Sequence, residues 1–121
     1  IFLRSSITSR KIISSESASH ILDALTRVVE DGTGKGANIK GFSVGGKTGT
    51  AHRIGKGSGY AEDLYVASFA GITPIGDESL TIFVSINNPG LNSYTGGAVA
   101  APVFAKIAES SLNHLGYFQD E

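Results

Sequence analysis

Glycine is concentrated in one part of this 121-residue chain, and the concentration limits what that part can form. Most of the 16 glycines lie between Gly32 and Gly59. Each glycine in a helix interior costs about 1 kcal/mol relative to alanine, so a helix is disfavoured there. Glycine also tolerates unusual backbone torsions and close approach by another group. We therefore expect loops and one strand in this region.

Apolar spacing along the whole chain predicts five regular elements. A basic, serine-rich connector over 1–13 leads into a helix over 14–31. Ser14 or Ser15 is the predicted N-cap of this helix, and Glu16 in the first turn faces the helix dipole. Three strands and a last helix are predicted over 42–51, 65–72, 80–86 and 98–115.

The order of these elements predicts the fold class. The second and third strands are joined by a connection short enough for an antiparallel hairpin. Successive strands with short connections favour an α+β fold, in which an antiparallel sheet is flanked by helices. The third strand, LTIFVSI, is almost continuously apolar, so we predict that it is buried on both faces.

Composition excludes several function classes. A formal net charge of −1 provides no global field for nucleic acid or an anionic membrane. The chain has no cysteine, which excludes disulfides and thiolate chemistry, and its three histidines lack metal-ligand spacing. We predict no cofactor and no membrane contact from this segment. Because the chain starts with Ile1 and contains no methionine, we interpret it as part of a longer protein.

The stretch GFSVGGKT, residues 41–48, matches the phosphate-binding loop pattern of nucleotide-binding proteins. That loop needs a buried strand before it and a helix after it, because its amides bind phosphate at a helix N-terminus. The preceding GKGANIK is not apolar, and the following GTAHRIGKGSG is too rich in glycine for a helix. The nucleotide-binding interpretation is therefore disfavoured, although it stays an alternative.

The overlapping stretch KTGT fits a strand and a different chemistry. Lys47 would bring a cation near a reacting centre, while Thr48 and Thr50 share strand parity and can converge on one anion. Gly49 between them has no side chain to block a substrate backbone. An amide on the open edge of the strand would stabilise an oxyanion by about 3 kcal/mol.

K-T-G is one of four segments that together resemble a known family. The segments are GGKTGTA (45–51), SFAGITP (68–74), FVSINNP (83–89) and YTGGAVAAPVF (94–104). With them, the chain resembles the C-terminal part of the transpeptidase domain of class B (monofunctional) penicillin-binding proteins, and looks closest to the division-type enzymes of Gram-negative bacteria. The resemblance implies a partial β-lactamase/transpeptidase-like fold and covers nearly all of residues 12–115.

The resemblance also implies an activity. Family members cross-link peptidoglycan: a serine attacks the D-Ala-D-Ala end of a stem peptide, releases D-alanine and passes the acyl group to an amine. β-Lactams mimic that end and acylate the serine. The implied partners are stem peptides, β-lactams and the upstream part of the same domain, and cell-division proteins are candidates. The implied location is the periplasmic face of the bacterial inner membrane, with an anchor outside this chain.

By resemblance, the site residues are Lys47 in the proton network of the serine, and Thr48, Gly49 and Thr50 at the substrate. Thr48 and Thr50 would hold the terminal carboxylate, and the Thr50 amide would form half of the oxyanion hole. Tyr94 resembles an aromatic rim position. Where relatives often carry a second aromatic residue, this chain has Thr95, which predicts a weaker rim.

Two of the family's motifs are not where the resemblance needs them. No S-x-x-K exists in the chain, and two S-x-N matches, at 85–87 and 111–113, follow K-T-G instead of preceding it. We interpret both matches as coincidental and expect the nucleophile upstream, so the isolated chain should lack acylation activity and expose apolar surface. A serine β-lactamase fragment stays an alternative, because K-T-G is shared.

Overall fold

A computed structural model describes residues 10–54, 60–90 and 92–117, so most of the connector predicted over 1–13 lies outside the described residues. The fold is α+β, as predicted: a three-stranded antiparallel sheet with helices packed on it. The helices and strands are α1 (Ser15–Glu30), β1 (Gly45–Ile54), β2 (Tyr60–Thr73), β3 (Leu80–Asn87) and α2 (Ala101–His114). A 3₁₀ turn (Lys35–Ala37) follows α1, and a π-helical turn (Gly96–Ala100) leads into α2.

Helix α1 begins where the sequence places a cap. The Ser14 hydroxyl accepts a hydrogen bond from the Ser17 amide at 3.0 Å, which satisfies one of the amides left open at a helix start. At the other end, the Asp31 amide donates to the carbonyl of Arg27. Val29, close to this end, is buried in the core.

The sheet has the order β1-β2-β3, and its register decides which residues share a face. Thr48 lies opposite Phe69, which in turn lies opposite Val84. Since side chains alternate along a strand, Lys47 starts from the other face of the sheet, opposite Ala70. The face that carries Phe69 packs against α2, where the rings of Phe69 and Phe104 are 4.9 Å apart.

Two glycines let the aromatic core lie close to the sheet. A Cβ built on Gly71 would lie 2.6 Å from Cζ of Phe104, and one built on Gly46 would overlap the ring of Phe69. Phe69 and Phe104 are both fully buried. Gly46 therefore serves the close approach that the glycine concentration suggested, and Gly71, outside that concentration, serves the same purpose.

The strand bounds differ from those expected. Strand β1 begins at Gly45, because Phe42 instead forms an isolated bridge with Ile39, and it continues to Ile54. Strand β2 begins at Tyr60, since its pairing with β1 extends past a bulge after His52. The regular α-helix at the C-terminal end begins at Ala101, because the turn before it is π-helical.

The prediction that the third strand is buried on both faces is wrong for the described structure. Ile82, Val84 and Ile86 of β3 face the core, but Phe83 is 67% exposed on the opposite face. The physical reason is that α2 packs on one face of β3, and the alternate side chains on the other face are left uncovered by the described residues. Continuous apolar sequence therefore did not distinguish one covered face from two.

Helix α2 divides its apolar residues between core and surface. Ala101, Phe104, Ala108 and Leu112 are fully buried, whereas Val103, Ile107 and Leu115 are at least 38% exposed. None of the helices in the described parts of the chain has the length and hydropathy needed to cross a membrane.

Candidate active site

Residues Lys47–Thr50 lie extended in β1, an outer strand of the described sheet. The chain continues as strand to Ile54, so the residues after Lys47 do not form the helix that a phosphate-binding loop requires. The nucleotide-binding alternative is therefore wrong. The extended placement expected for K-T-G on a strand is the one observed.

An open pocket of about 370 Å³ lies against this strand. It is lined by Thr33, Thr48, Thr50, Thr95, Gly97 and Ala98. Thr48 and Thr50 enter it from the same face of β1, as their shared parity predicts. Among the described residues, those that line the pocket include no carboxylate, so its polar surface consists of hydroxyl and backbone groups.

The Thr50 hydroxyl is fixed by the turn before α2. Its Oγ1 accepts a hydrogen bond from the Gly96 amide at 3.1 Å. Gly96 comes so close to the sheet that a Cβ at this position would overlap the carbonyl oxygens of Ser68 and Gly49. Only glycine fits there, and this close approach is what brings its amide to Thr50.

The Thr48 hydroxyl has two polar neighbours. Its Oγ1 lies 3.0 Å from Oγ1 of Thr33, which belongs to the loop after α1. The ammonium group of Lys47 donates to the Thr48 carbonyl at 3.0 Å and to the Thr48 hydroxyl at 3.4 Å. Lys47 starts from the opposite face of the sheet, yet its amine turns back toward the strand edge. The structure thus brings three of the predicted site residues together, Lys47, Thr48 and Thr50.

Gly49 has a structural role beside the predicted one. A Cβ at Gly49 would lie 2.5 Å from the hydroxyl oxygen of Ser68, its partner on β2. The absent side chain therefore leaves room for Ser68.

Tyr94, which directly precedes Thr95 of the pocket lining, belongs to a row of three rings. It stacks on Tyr65 with centroids 4.2 Å apart and an interplanar angle of 22°, and Tyr65 contacts the ring of His52 at 4.4 Å. Tyr94 remains 37% exposed. Neither Tyr65 nor His52 was among the site residues predicted from the sequence. The signal that could have revealed this contact is the register of the β1–β2 hairpin, which places His52 opposite Tyr65.

The two S-x-N matches lie away from this pocket. Ser85 and Asn87 are on β3, and Ser111 and Asn113 are on α2. The Ser111 hydroxyl donates to the Ile107 carbonyl within its own helix. Neither match contributes a residue to the pocket lining, which agrees with their interpretation as coincidental.

Comparison with known proteins gives the family. Residues 5–109 match the penicillin binding protein transpeptidase domain, so the chain belongs to that family. It is 42% identical over 113 residues to "Stage V sporulation protein D" of Bacillus subtilis, covering 93% of the chain and 17% of that protein. It is 38% identical to "Probable peptidoglycan D,D-transpeptidase PenA" of Neisseria gonorrhoeae over 88% of the chain and 18% of that protein.

A solved structure has the same fold. The apo transpeptidase domain of Burkholderia pseudomallei penicillin-binding protein 3 superimposes with a TM-score of 0.82 at 33% sequence identity. The match covers 94% of this chain and 34% of that domain. The chain thus spans about a sixth of the length of the two curated relatives named above and a third of the solved domain.

Proposed function

We propose that this chain supplies the K-T-G wall of the active site of a peptidoglycan D,D-transpeptidase. The observation that carries the proposal is the convergence of Thr48, Thr50 and the Lys47 amine on an open strand edge. Hydroxyl donors and one cation suit the anionic terminus of a peptide, and the described residues that line the pocket include no carboxylate. The relatives named as D,D-transpeptidases support the reaction class.

In the proposed reaction, a serine from the upstream part of the domain attacks the penultimate D-alanine carbonyl. A bond forms between the serine oxygen and the carbonyl carbon, the peptide C–N bond breaks, and the serine proton leaves with the amine of D-alanine. An acceptor amine then attacks the same carbonyl carbon. The new C–N bond forms, the ester C–O bond breaks, and a proton from the amine returns to the serine. Lys47 acts in the proton network of that serine, whose own side chain lies outside this chain.

The remaining site residues bind and orient the substrate. The hydroxyls of Thr48 and Thr50 hold the terminal carboxylate, and Gly49 leaves the strand open to the substrate backbone. The Thr50 amide provides half of the oxyanion hole, where a single donor contributes about 3 kcal/mol. Tyr94, supported by its stack on Tyr65, forms an aromatic rim that contacts the apolar part of the ligand.

The cellular setting follows from the same proposal. A peptidoglycan cross-linking enzyme works on the periplasmic face of the inner membrane, where its substrate is. We assign the membrane anchor and any contact with cell-division proteins to sequence outside this chain. β-Lactams, which imitate the peptide terminus, are its proposed inhibitors.

Acylation of the full-length protein tests the proposal. Incubation with a fluorescent penicillin should label the protein covalently, and intact-mass measurement should show one adduct. The label should persist, because a transpeptidase releases penicillin slowly. Rapid turnover of penicillin would instead assign the protein to the β-lactamases, and absence of any adduct would contradict both activities.

A further inference from the structure

The pocket beside β1 contains more hydroxyl groups than the K-T-G motif provides. Thr48 and Thr50 belong to the motif, but Thr33 and Thr95 also line the pocket. Thr33 comes from the loop between α1 and the 3₁₀ turn, and Thr95 directly precedes the π-helical turn. Three separate segments therefore bring four threonines to one pocket.

Hydrogen-bond directions show which of these hydroxyls stay available as donors. A threonine hydroxyl has one hydrogen and two lone pairs. Thr50 Oγ1 accepts from the Gly96 amide at 3.1 Å, and Thr95 Oγ1 accepts from the Ala98 amide at 3.3 Å. In both cases the backbone occupies a lone pair and leaves the hydroxyl hydrogen free to donate to a ligand.

The remaining pair, Thr33 and Thr48, provides one more donor. Because their hydroxyl oxygens are 3.0 Å apart, one hydroxyl donates to the other and the second keeps its hydrogen for the pocket. The Lys47 amine donates to one lone pair of Thr48 Oγ1 at 3.4 Å, and the second lone pair can accept from Thr33. In the arrangement we infer, Thr33 is the donor of this pair, so that the Thr48 hydrogen is left for the ligand. Thr33 thus orients Thr48 and need not contact the ligand itself.

We propose that the carboxylate pocket of this protein uses three threonine donors, with Thr95 as the third ligand beside Thr48 and Thr50. Thr33 is the positioning residue that fixes the Thr48 hydroxyl. The inference rests on the proposed transpeptidase function. It also gives Thr95 a polar role, at the position where the sequence resemblance leads one to expect a second aromatic residue.

Substitution of Thr95 in the full-length protein tests the ligand role. The probes are benzylpenicillin and its methyl ester, which differ only in the ring carboxylate. Thr95→Val should slow acylation by benzylpenicillin roughly tenfold, because a hydrogen bond to a charged group is lost. Acylation by the ester should change little, and Thr95→Ser, which keeps the hydroxyl, should behave like the wild type.

The possible outcomes distinguish failure of the Thr95 ligand role from failure of the proposed transpeptidase function. Equal loss for acid and ester in Thr95→Val would show that the change disturbs the turn before α2 and would overturn the ligand role. No loss for either probe would overturn it as well. If wild-type protein is not acylated by benzylpenicillin at all, the proposed function itself fails.

Substitution of Thr33 tests the positioning role. Thr33→Val should slow acylation by benzylpenicillin several-fold and leave the ester unaffected, whereas Thr33→Ser should restore the wild-type rate. A double variant, Thr33→Val with Thr48→Val, should be no slower than Thr48→Val alone, because Thr33 acts through Thr48. Additive losses would show that Thr33 acts independently and would contradict the proposal.

Discussion

Tyr65 of β2 and Tyr94 of the loop before α2 stack with their ring centroids 4.2 Å apart, although 29 positions separate them in the sequence. The contact ties the proposed aromatic rim to the sheet. His52 extends the row from β1, so three segments of the chain meet at one aromatic surface. The position of the proposed rim thus depends on the hairpin register as much as on the local motif.

Removing the outer ring of this stack should weaken ligand contact. Tyr94→Ala in the full-length protein should slow acylation by penicillins with aromatic side chains roughly two- to tenfold, since an aromatic pair contributes about 0.5–1.5 kcal/mol. Tyr94→Phe keeps the ring and should be close to wild type. Acylation rates with aromatic and small-alkyl penicillins measure the effect.

Tyr65 should matter because it supports Tyr94. Tyr65→Ala should reproduce the loss seen in Tyr94→Ala, and the two changes together should be less than additive, because the rings are in contact. The measurement is the same set of acylation rates. A wild-type rate in Tyr65→Ala would show that Tyr94 holds its position without the stack.

Of the substitutions proposed, that of Lys47 should have the largest effect on the acylation rate. Lys47→Ala should slow acylation by about 100- to 10,000-fold, the range typical when a proton-transfer group is lost. Lys106→Ala, which removes an exposed lysine of α2, is the matched control and should have no effect. Stopped-flow acylation of both variants checks the prediction. Equal rates in the two variants would remove Lys47 from the proton network.

Much of the fold could be predicted from local sequence signals. The Ser14 cap and the apolar spacing predicted α1, and short connections predicted an antiparallel sheet. The glycine pattern favoured a strand over a helix for K-T-G and so disfavoured nucleotide binding, which the strand in the structure then excluded. Shared parity of Thr48 and Thr50 predicted that both would reach one pocket, because a strand has a period of two.

The remaining features depend on contacts between distant segments. Thr33 lies 15 positions before Thr48, and no local pattern shows that their hydroxyls meet. Tyr65 was overlooked for the same reason. The exposed Phe83 shows a further limit: an apolar run does not say how many faces of the sheet are covered. Register and tertiary packing supply that information.

A methyl group at Gly71 should destabilise the core. Its Cβ would lie 2.6 Å from Cζ of the fully buried Phe104, which cannot move without displacing its neighbours. Gly71→Ala should lower the free energy of unfolding by about 1–3 kcal/mol. Gly76→Ala is the control, since a Cβ there meets nothing within 4 Å, and its effect should stay within about 0.5 kcal/mol. Chemical denaturation of the full-length variants measures both.

The Tyr117 phenol donates a hydrogen bond to Oε2 of Glu78 at 2.8 Å and so links the end of α2 to the β2–β3 turn. That bond, with some desolvation and the charge of the Glu78 carboxylate, raises the pKa of Tyr117 above its ordinary value of 10.0. A pKa that is higher in the folded protein means that the bond stabilises the fold below pH 10.0 and that this contribution is lost as the pH rises further.

The melting temperature should therefore fall more steeply above pH 10.0 in the wild type than in Tyr117→Phe. Tyrosinate absorbance provides an independent measurement, because the transition missing from Tyr117→Phe should be the one at the raised pKa. Parallel melting curves for the two proteins across that pH range would show that the link contributes nothing to stability.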